Sequence, residues 1–508
     1  MRHKIFSTIL HLTIFLAATF GFRFTLLAAG LNKSDDSPLT QLLQAALEVP
    51  KDTALVHGHW GMVAVFADQG DPFININGEK SMAPASCLKL LTTSAALCLL
   101  GEEHQFQTQL AYSGAIDNAG TLHGDVVIIG GGDPTLGSDR IDGVMNYDEL
   151  IDIWADTIRG LGIEAIDGYI IGDDRHFDNI ILPDHWFWED MGNYYGAGPS
   201  GLCFHENYYR ITFKPGKVGQ KAAVIKINPP IPGMSFVNQM KTGPAGSGDK
   251  GSIFGAPHQW LRILRGSVPA GYKQFSIKGS MPDPAKVCAL SLLEGLKRNG
   301  IEVTRRAITA FDMIFQNRIQ SKLKIFYTQN SPALREIVYW LNKRSINIYA
   351  EQLLKQLART ATGEGSYEQG FKVLREFLAD RQIPLEGLHL HDGCGLSRLN
   401  TMTPLQLTLL LREMTREVCF QSFYDSLPIT GDAEDAGWIG HLCRGTRAAR
   451  NLRAKTGSIM RVRAHAGYVK TRSNQLVCFS MIANEFTSST QHIDKLHEKI
   501  MILLAELP

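Results

Sequence analysis

One stretch of the sequence decides the fold: Ala83-Pro84-Ala85-Ser86-Cys87-Leu88-Lys89-Leu90-Leu91, followed by Thr92-Thr93-Ser94-Ala95-Ala96-Leu97. From Pro84 to Gly101 the only charged residue is Lys89, among residues that are otherwise apolar or small. A helix that is apolar on all sides is typical of a protein core. Pro84 fits the first turn of a helix, and Gly101 fits its C-terminal end. The stretch therefore predicts a buried helix.

Ser86 and Lys89 form a candidate catalytic pair on this helix. They are three positions apart, so they lie on one face near the N-terminus. Burial of a lone ammonium group is unfavourable and shifts the lysine toward its neutral form. A serine beside a neutral lysine is an activated nucleophile. The alternative is a lysine whose head group extends to solvent, because S-x-x-K alone is common by chance.

Composition indicates an ordinary globular protein. The chain has 508 residues, of which 44% are hydrophobic and 20% charged, enough for two or three domains with a sizeable core. The formal net charge is +1, and we find neither a basic run nor a module of stacking aromatic residues. These features argue against nucleic acid as a partner and favour a neutral polymer or a small molecule.

The N-terminus has the pattern of an export signal. A basic start, Arg2-His3-Lys4, precedes an apolar run from Ile5 to about Phe22, and Ala28-Ala29-Gly30 follows. We predict a signal peptide over residues 1–29. An uncleaved anchor is the alternative, because the run approaches the length of a membrane span. In either case the body of the protein is exported, and association with the membrane surface stays open.

The cysteines do not indicate a disulfide scaffold. Eight cysteines in 508 residues are too few for one. Cys87 and Cys98 lie on one predicted helix, roughly 16 Å apart along its axis, so they cannot bond to each other. We favour buried free thiols, and the redox state stays open.

The two ends of the chain have the patterning of one domain, over residues 36–101 and 321–508. A helical pattern at 39–47 and a predicted hairpin, 61–66 with 73–76, come before the Ser86 helix. Helical patterns resume at Ser331-Pro332, an expected N-cap followed by proline. Two strand-like runs, 464–471 and 475–483, and a helix from about 491 to 507 end the chain. We expect an α+β fold, an antiparallel sheet flanked by helices.

Residues 102–320 have a different texture. Short strand-like runs, such as 124–129 and 209–213, alternate with Gly- and Pro-rich turns, and helices are expected near Tyr147–Gly160 and Ala285–Gly300. We interpret this as a large β-rich insertion of one or two subdomains. Gly130-Gly131-Gly132 is not a phosphate loop, because Asp133-Pro134 makes a turn there.

Three short motifs occur in a meaningful order: Ser86-Cys87-Leu88-Lys89, Ser345-Ile346-Asn347 and Lys455-Thr456-Gly457-Ser458. Each is weak alone. Ser345-Ile346-Asn347 by itself would be an ordinary helix start, and Lys455-Thr456-Gly457 a turn. Together they match the S-x-x-K, S-x-N and K-T-G set of penicillin-recognising serine enzymes.

The chain resembles the D-alanyl-D-alanine carboxypeptidase/endopeptidase family, the class C low-molecular-mass penicillin-binding proteins, over roughly residues 38 to 485. The insertion between the first two motifs is a further similarity to this family. The longer matching phrases are 84–93, Gly130-Gly131-Gly132-Asp133-Pro134-Thr135-Leu136, Gly172-Asp173-Asp174, Asn342-Lys343-Arg344-Ser345-Ile346-Asn347, Asp392-Gly393-Cys394-Gly395-Leu396-Ser397, Ala454-Lys455-Thr456-Gly457 and Ala466-Gly467-Tyr468.

The resemblance implies a periplasmic serine D-alanyl-D-alanine carboxypeptidase, with endopeptidase activity on peptidoglycan cross-links as a second activity and β-lactam antibiotics as inhibitors. Ser86 would be the nucleophile and Lys89 its base. Ser345 would relay a proton to the leaving amine, and Asn347 would bind the substrate amide. A last set would bind the substrate carboxylate and backbone: Lys455, Thr456, Gly457 and Ser458. No cofactor or metal is implied, and dimerisation stays open.

Three positions depart from the family pattern. Cys394 stands where serine or another small residue is common, and Ser458 replaces a frequent threonine while keeping a hydroxyl. The phrase Gly431-Asp432-Ala433-Glu434-Asp435-Ala436-Gly437 replaces a tighter glycine-threonine phrase, which puts the local loop shape in question.

Two other functions stay open. A β-lactamase shares the motifs but must deacylate antibiotic quickly, and the large insertion argues against it. A non-catalytic wall-binding protein would keep the fold without the chemistry. The pairs His389/His391 and His57/His59 have no recognisable third ligand, so we predict no metal site.

Overall fold

The computed structural model describes residues 37–315 and 322–508. The predicted signal peptide, residues 1–29, lies outside the described residues. Within the two described ranges, no helix is long and apolar enough to cross a membrane.

The apolar stretch after Pro84 forms a short 3₁₀ turn, Ala85–Leu88, and then an α-helix, Lys89–Leu100. Residues 89–97 are all buried, as their composition predicts. The α-helix begins at Lys89 rather than at Pro84, because Ala85 has a positive φ of 45° that α-helical geometry excludes. Gly101 ends the helix with its N–H on the Leu97 carbonyl.

A five-stranded antiparallel sheet forms the centre of the domain built from both chain ends. The strands follow the spatial order Arg453–Ile459, Val462–Lys470, Leu476–Asn484, His59–Phe66, Ile74–Ile76. The predicted hairpin 61–66 with 73–76 is therefore confirmed, the two C-terminal strand-like runs also form a hairpin, and the α+β class is confirmed. The motif Lys455-Thr456-Gly457 lies inside the first of these strands, at the sheet edge, and not in a turn before it.

Helices cover both faces of this sheet. The predicted helices at the two chain ends, Pro38–Glu48 and Thr490–Ala505, pack on one face. The Ser86 helix and its neighbours Asn347–Thr362 and Pro404–Met414 form the larger core on the other face. The remaining helices of this domain are Leu334–Arg344, Tyr367–Asp380 and Phe420–Ser426.

The strand Leu476–Asn484 of the central sheet also binds the turn before Ser86. The Asn484 amide accepts from the Ala83 N–H at 2.7 Å and donates to the Ala83 carbonyl at 3.1 Å. Ala83 and Asn484 lie 401 positions apart in the chain.

The described residues of the inserted region form four sheets. The first sheet has three strands, Ala223–Asn228, Tyr208–Lys214 and Phe275–Ser280. The second has four strands, Ser235–Asn238, Leu261–Pro269, Lys241–Gly243 and Lys250–Phe254. The third sheet has four strands, Glu302–Val303, Ala165–Ile166, Thr121–His123 and Ala115–Ile116. The fourth has five strands, Ala307–Thr309, Ile170–Asp173, Val126–Ile129, Gln107–Tyr112 and Lys324–Asn330. The helices are Tyr147–Gly160, Trp188–Met191, Pro284–Arg298 and Ala310–Phe315.

The structure differs from expectation in two details where the chain returns from the inserted region to the first domain. Strand Lys324–Asn330 pairs with Gln107–Tyr112, so we place the end of the inserted region after Asn330 rather than at residue 320. Ser331 is not a helix N-cap: its hydroxyl accepts from the Phe106 N–H, and the cap of the next helix is Ala333. The Ser331 hydroxyl, which the sequence pattern predicts as the cap of the helix Leu334–Arg344, thus binds the backbone next to strand Gln107–Tyr112 instead.

Candidate active site

The Lys89 ammonium nitrogen lies 3.0 Å from the Ser86 hydroxyl oxygen, as the spacing predicts. It is also 2.7 Å from the Asn347 amide oxygen and 2.6 Å from the Cys394 carbonyl oxygen. The Lys89 side chain is fully buried, so the alternative of a lysine extending to solvent is wrong. Burial lowers the pKa of Lys89 from its ordinary value.

These three neighbours fix the direction of the lysine lone pair. The Asn347 and Cys394 oxygens can only accept hydrogen bonds, so each takes one N–H of a neutral amine. The remaining tetrahedral position faces Ser86. A neutral Lys89 therefore presents its lone pair to the serine hydroxyl, which is the geometry of a general base and its nucleophile.

Buried carboxyl groups support the loop that carries the Cys394 carbonyl. Glu351 accepts from the Gly393 N–H at 3.0 Å, and Asp392 accepts from the Gly395 N–H at 2.6 Å. Burial, with the Asp392 charge next, raises the pKa of Glu351 to about 8, so that it is protonated at neutral pH. Glu351 can therefore lie buried near Lys89 without adding a negative charge.

Glu351, Asp392 and Cys394 also bring possible metal ligands within 4.8 Å of one another, the one such group among the described residues. Backbone N–H groups already occupy both carboxylates. Burial raises the pKa of the Cys394 thiol well above its ordinary value, which disfavours the thiolate that a metal needs. We therefore interpret the trio as support for the loop.

The second motif lies at a sharp corner between two helices. Ser345 ends the helix Leu334–Arg344 in the left-handed conformation, with φ 56° and ψ 45°, and Asn347 begins the next helix. This corner points both polar side chains toward Lys89 and Lys455. The Asn347 amide nitrogen donates to the Tyr195 carbonyl at 2.7 Å, which leaves its second N–H available.

The third motif supplies a second lysine. The Lys455 ammonium donates to the Ser345 hydroxyl at 2.9 Å and to the Thr456 carbonyl at 2.9 Å. Burial, with the Lys89 charge next, lowers the pKa of Lys455 to about 7. Thr456 is half-buried and Ser458 is exposed on the same strand. The three motifs thus meet at one place.

Two glycines allow the Ser86 turn to pack closely. A Cβ on Gly457 would lie 2.3 Å from the Pro84 carbonyl oxygen, and one on Gly395 would lie 1.9 Å from the Ala85 carbonyl oxygen. Both obstacles are backbone atoms, so a side chain at either position would displace the turn. Since Gly457 lies on the edge strand, the outer side of that strand can pair with an extended peptide.

The inserted region contributes two contacts that sequence reasoning missed. The Tyr195 carbonyl accepts from Asn347, and the Trp186 indole N–H donates to Asp392 at 2.9 Å. The Cys394 carbonyl beside Lys89 was missed as well. Two of the three contacts use backbone oxygens, which leave no signal in a residue pattern.

The unusual phrase 431–437 is anchored beside the second motif. The Lys343 ammonium binds Asp435, and both side chains are almost fully buried. Asp435 also accepts from the Gly437 N–H at 2.8 Å and the Ile429 N–H at 3.1 Å. A buried ion pair thus fixes the loop whose shape the sequence left in question.

A helix-flanked antiparallel sheet with a half-buried serine beside a fully buried lysine at its edge is the arrangement of a serine acyl-transfer enzyme. Comparison with known proteins gives the family. The D-Ala-D-Ala carboxypeptidase 3 (S13) family matches residues 42–507, and the chain belongs to it.

Two relatives and one solved structure illustrate the similarity. A D-alanyl-D-alanine carboxypeptidase of Actinomadura sp. (strain R39) is 28% identical over 471 residues, covering 91% of this chain and 84% of the relative. A D-alanyl-D-alanine carboxypeptidase of Haemophilus influenzae is 23% identical over 432 residues, covering 84% and 86%. The crystal structure of penicillin binding protein 4 from H. influenzae has the same fold, with a TM-score of 0.74 at 22% identity over 92% of this chain and 99% of that one.

Proposed function

We propose that this protein is a serine D-alanyl-D-alanine carboxypeptidase that works through a seryl ester and is acylated by penicillin. The observation that carries the proposal is the position of Lys89, with two N–H groups held by carbonyl oxygens and its lone pair directed at Ser86. Family membership supports the same reaction class.

In the acylation step, Lys89 takes the proton of Ser86 while the Ser86 oxygen attacks the carbonyl between two D-alanines. The backbone N–H groups of Ser86 and Ser458 stabilise the oxyanion, at about 3–4 kcal/mol per donor. The C–N bond then breaks, and Ser345 relays to the leaving amine the proton that Lys89 took from Ser86, so that Lys89 is neutral again for the hydrolysis step. Water hydrolyses the ester and restores the Ser86 hydroxyl.

The edge strand Arg453–Ile459 and the second motif, Ser345-Ile346-Asn347, bind the substrate. Lys455, when charged, attracts the terminal carboxylate, with the Thr456 and Ser458 hydroxyls as further donors. The free N–H of Asn347 binds the substrate amide. The peptide backbone lies along the outer side of the edge strand, and Gly457 lets that strand pack closely against the turn before Ser86.

We further propose that the substrates are peptidoglycan peptides and that the enzyme acts after export, in the periplasm. Endopeptidase cleavage of cross-links follows the same chemistry, because a cross-link is also an amide of D-alanine. In that reaction the leaving amine belongs to a second peptide rather than to a single D-alanine.

Labelling with fluorescent penicillin tests the proposal. The protein from residue 30 onward and its Ser86→Ala variant are incubated with the probe, and bound label is followed for hours. We expect persistent label on the unaltered protein and none on Ser86→Ala. Ser488→Ala, which removes an exposed hydroxyl, is the matched control and should label normally.

The rival functions give different results in the same assay. Label that appears and is lost within seconds to minutes indicates a β-lactamase. Absence of label on folded protein indicates a non-catalytic wall-binding protein and overturns the proposal.

A further inference from the structure

A large cavity opens beside the second motif. Its volume is about 660 Å³, within the range of about 300–1,000 Å³ that holds drug-sized ligands. Ser345 and Asn347 line its inner end, and the strands Tyr208–Lys214 and Phe275–Ser280 of the inserted region contribute the opposite wall. A single leaving D-alanine would fill only a small part of this space.

The wall from the inserted region is a polar sheet face. Alternate residues of its two strands, Tyr208 and Arg210 on one and Ser276 and Lys278 on the other, line the cavity. Ile277 also reaches the lining, but it belongs to the core together with Tyr209 and Ile211. Arg210 and Lys278 are directly opposite each other across the strands. Like charges in that position destabilise a sheet. Asp139 offsets the charge of Arg210, whereas no carboxylate of the described residues pairs with Lys278, so the Lys278 charge is better explained by binding than by stability.

Two cations of the lining have no carboxylate partner among the described residues. The Lys278 ammonium lies 4.3 Å from the centre of the Tyr208 ring, and the Arg344 guanidinium lies 5.2 Å from the centre of the Trp438 ring. Burial, with the Arg210 charge next, lowers the pKa of Lys278 to about 8, which leaves it mostly charged at neutral pH. Lys278 and Arg344 thus each pack against an aromatic ring and can bind an anionic ligand.

The other charges of the lining are largely satisfied within the protein. Arg140 binds Glu206 through two hydrogen bonds of 2.8 Å. Arg210 pairs with Asp139 at 3.4 Å. The remaining acid, Asp249, accepts from a backbone N–H, and burial raises its pKa. The surplus charge that faces the cavity is therefore positive.

We propose that this cavity is a leaving-group subsite that binds an acidic peptide, the amine-donating half of a cross-link, through Lys278 and Arg344. The inference rests on the proposed acyl-transfer function, because it takes Ser345 as the group that protonates the leaving amine. A peptide attached to that amine must leave past Ser345, and the cavity begins there. Carboxylates along the peptide would meet the two cations.

Two synthetic substrates test the subsite. Both are diacetyl-L-lysyl-D-alanyl-D-lysine with a free α-carboxylate, so the scissile bond and the group facing Lys455 are identical. One carries a glutamyl-glutamate on the D-lysine side-chain amine, and the other carries the neutral glutaminyl-glutamine amide. Release of the modified D-lysine gives kcat/KM for each substrate.

We expect the protein to prefer the acidic substrate by about tenfold, the value of one charge-assisted contact of about 1.4 kcal/mol. Lys278→Gln and Arg344→Gln should each reduce this ratio, and the double variant should remove it. Lys226→Gln is the matched control: Lys226 is an exposed lysine of the inserted region outside the cavity lining, and the ratio should be unchanged.

The possible failures are distinguishable. Equal rates on both substrates with the unaltered protein, or an unchanged ratio in the double variant, overturn the subsite while penicillin labelling still supports the proposed function. Loss of labelling in the unaltered protein overturns the function itself. Because the ratio compares two substrates on one variant, a general loss of activity from misfolding cancels.

Discussion

The Lys455 ammonium donates to the Ser345 hydroxyl at 2.9 Å, across 110 positions of sequence. This bond connects the second and third motifs directly. It places the cation that we propose attracts the substrate carboxylate next to the hydroxyl that we propose carries the proton to the leaving amine. In this mechanism the charge of Lys455 acts on both substrate binding and proton transfer.

The first prediction concerns this charge. With a pKa of about 7, Lys455 is charged below that pH and becomes neutral above it. We expect kcat/KM for diacetyl-L-lysyl-D-alanyl-D-alanine to fall above about pH 7, approaching tenfold per pH unit. The C-terminal amide of the same peptide has no carboxylate to attract, so its alkaline fall should be shallower, with only the effect on proton transfer left. Identical pH profiles for the two peptides would contradict the assignment.

The second prediction concerns Gly457. Since an added Cβ would lie 2.3 Å from the Pro84 carbonyl oxygen, Gly457→Ala must displace the turn that carries Ser86. A displacement of about 1 Å at a reacting group lowers rates by about a hundredfold, and we expect that loss in penicillin acylation. Gly160→Ala, at a helix end with open space, is the control. Acylation within about twofold of normal in Gly457→Ala would disprove the tight packing.

The third prediction concerns the buried ion pair. Asp435→Asn leaves the Lys343 ammonium buried without its counter-charge, which destabilises by about 3–5 kcal/mol in comparable pairs. Urea unfolding measures the loss. The double variant Lys343→Met/Asp435→Asn should regain much of it, because no buried charge remains. Glu434→Gln, an exposed neighbour, should unfold normally. A double variant no more stable than Asp435→Asn would contradict the explanation.

The fourth prediction concerns two buried histidines, His465 on the strand Val462–Lys470 and His497 on the helix Thr490–Ala505. His497 accepts from the Trp60 indole at 3.0 Å, and its other ring nitrogen lies 2.9 Å from His465. Burial, with the Arg463 charge next, lowers the pKa of His497 to about 3 and that of His465 well below its ordinary value. The folded protein therefore holds both rings neutral.

This stabilisation is complete above the unfolded pKa of about 6.5 and is lost as the pH falls toward the folded value. We expect the free energy of unfolding to drop by about 2 kcal/mol per histidine between pH 7 and pH 5. His497→Gln keeps an acceptor for Trp60 without the titration, so its unfolding should depend less steeply on pH. Equal slopes for the two proteins would rule out His497 as the source.

Most of the catalytic domain could be predicted from residue patterns. The stretch after Pro84 is apolar enough to be buried in any context, and the longer hairpin strands are short, nearly continuous apolar runs. Expectations failed where a residue had two possible partners. Ser331 has the pattern of a helix cap but binds Phe106 across the domain boundary. Residue type alone would make Lys455-Thr456-Gly457 a turn, whereas the family resemblance implies a strand edge there, and pairing with Val462–Lys470 does hold the motif in the edge strand.

The candidate site was predictable only in part, for a physical reason. Side-chain identity points to Ser86 and Lys89, whose spacing alone brings them together. The atoms that direct the Lys89 lone pair include the Cys394 carbonyl, and every residue has such an oxygen. The cation pair Arg210 and Lys278 faces the cavity only because of a strand register that no local pattern specifies.

The hydrogen bonds between Asn484 and Ala83 have a consequence for folding. The asparagine that supports the turn before Ser86 lies 401 positions further along the chain, so an N-terminal segment can contain Ser86 and Lys89 without the support that holds them in place. Chains truncated before residue 484 lack this support and the central strand beside His59–Phe66. Assembly of the candidate site is thereby coupled to folding of the whole domain.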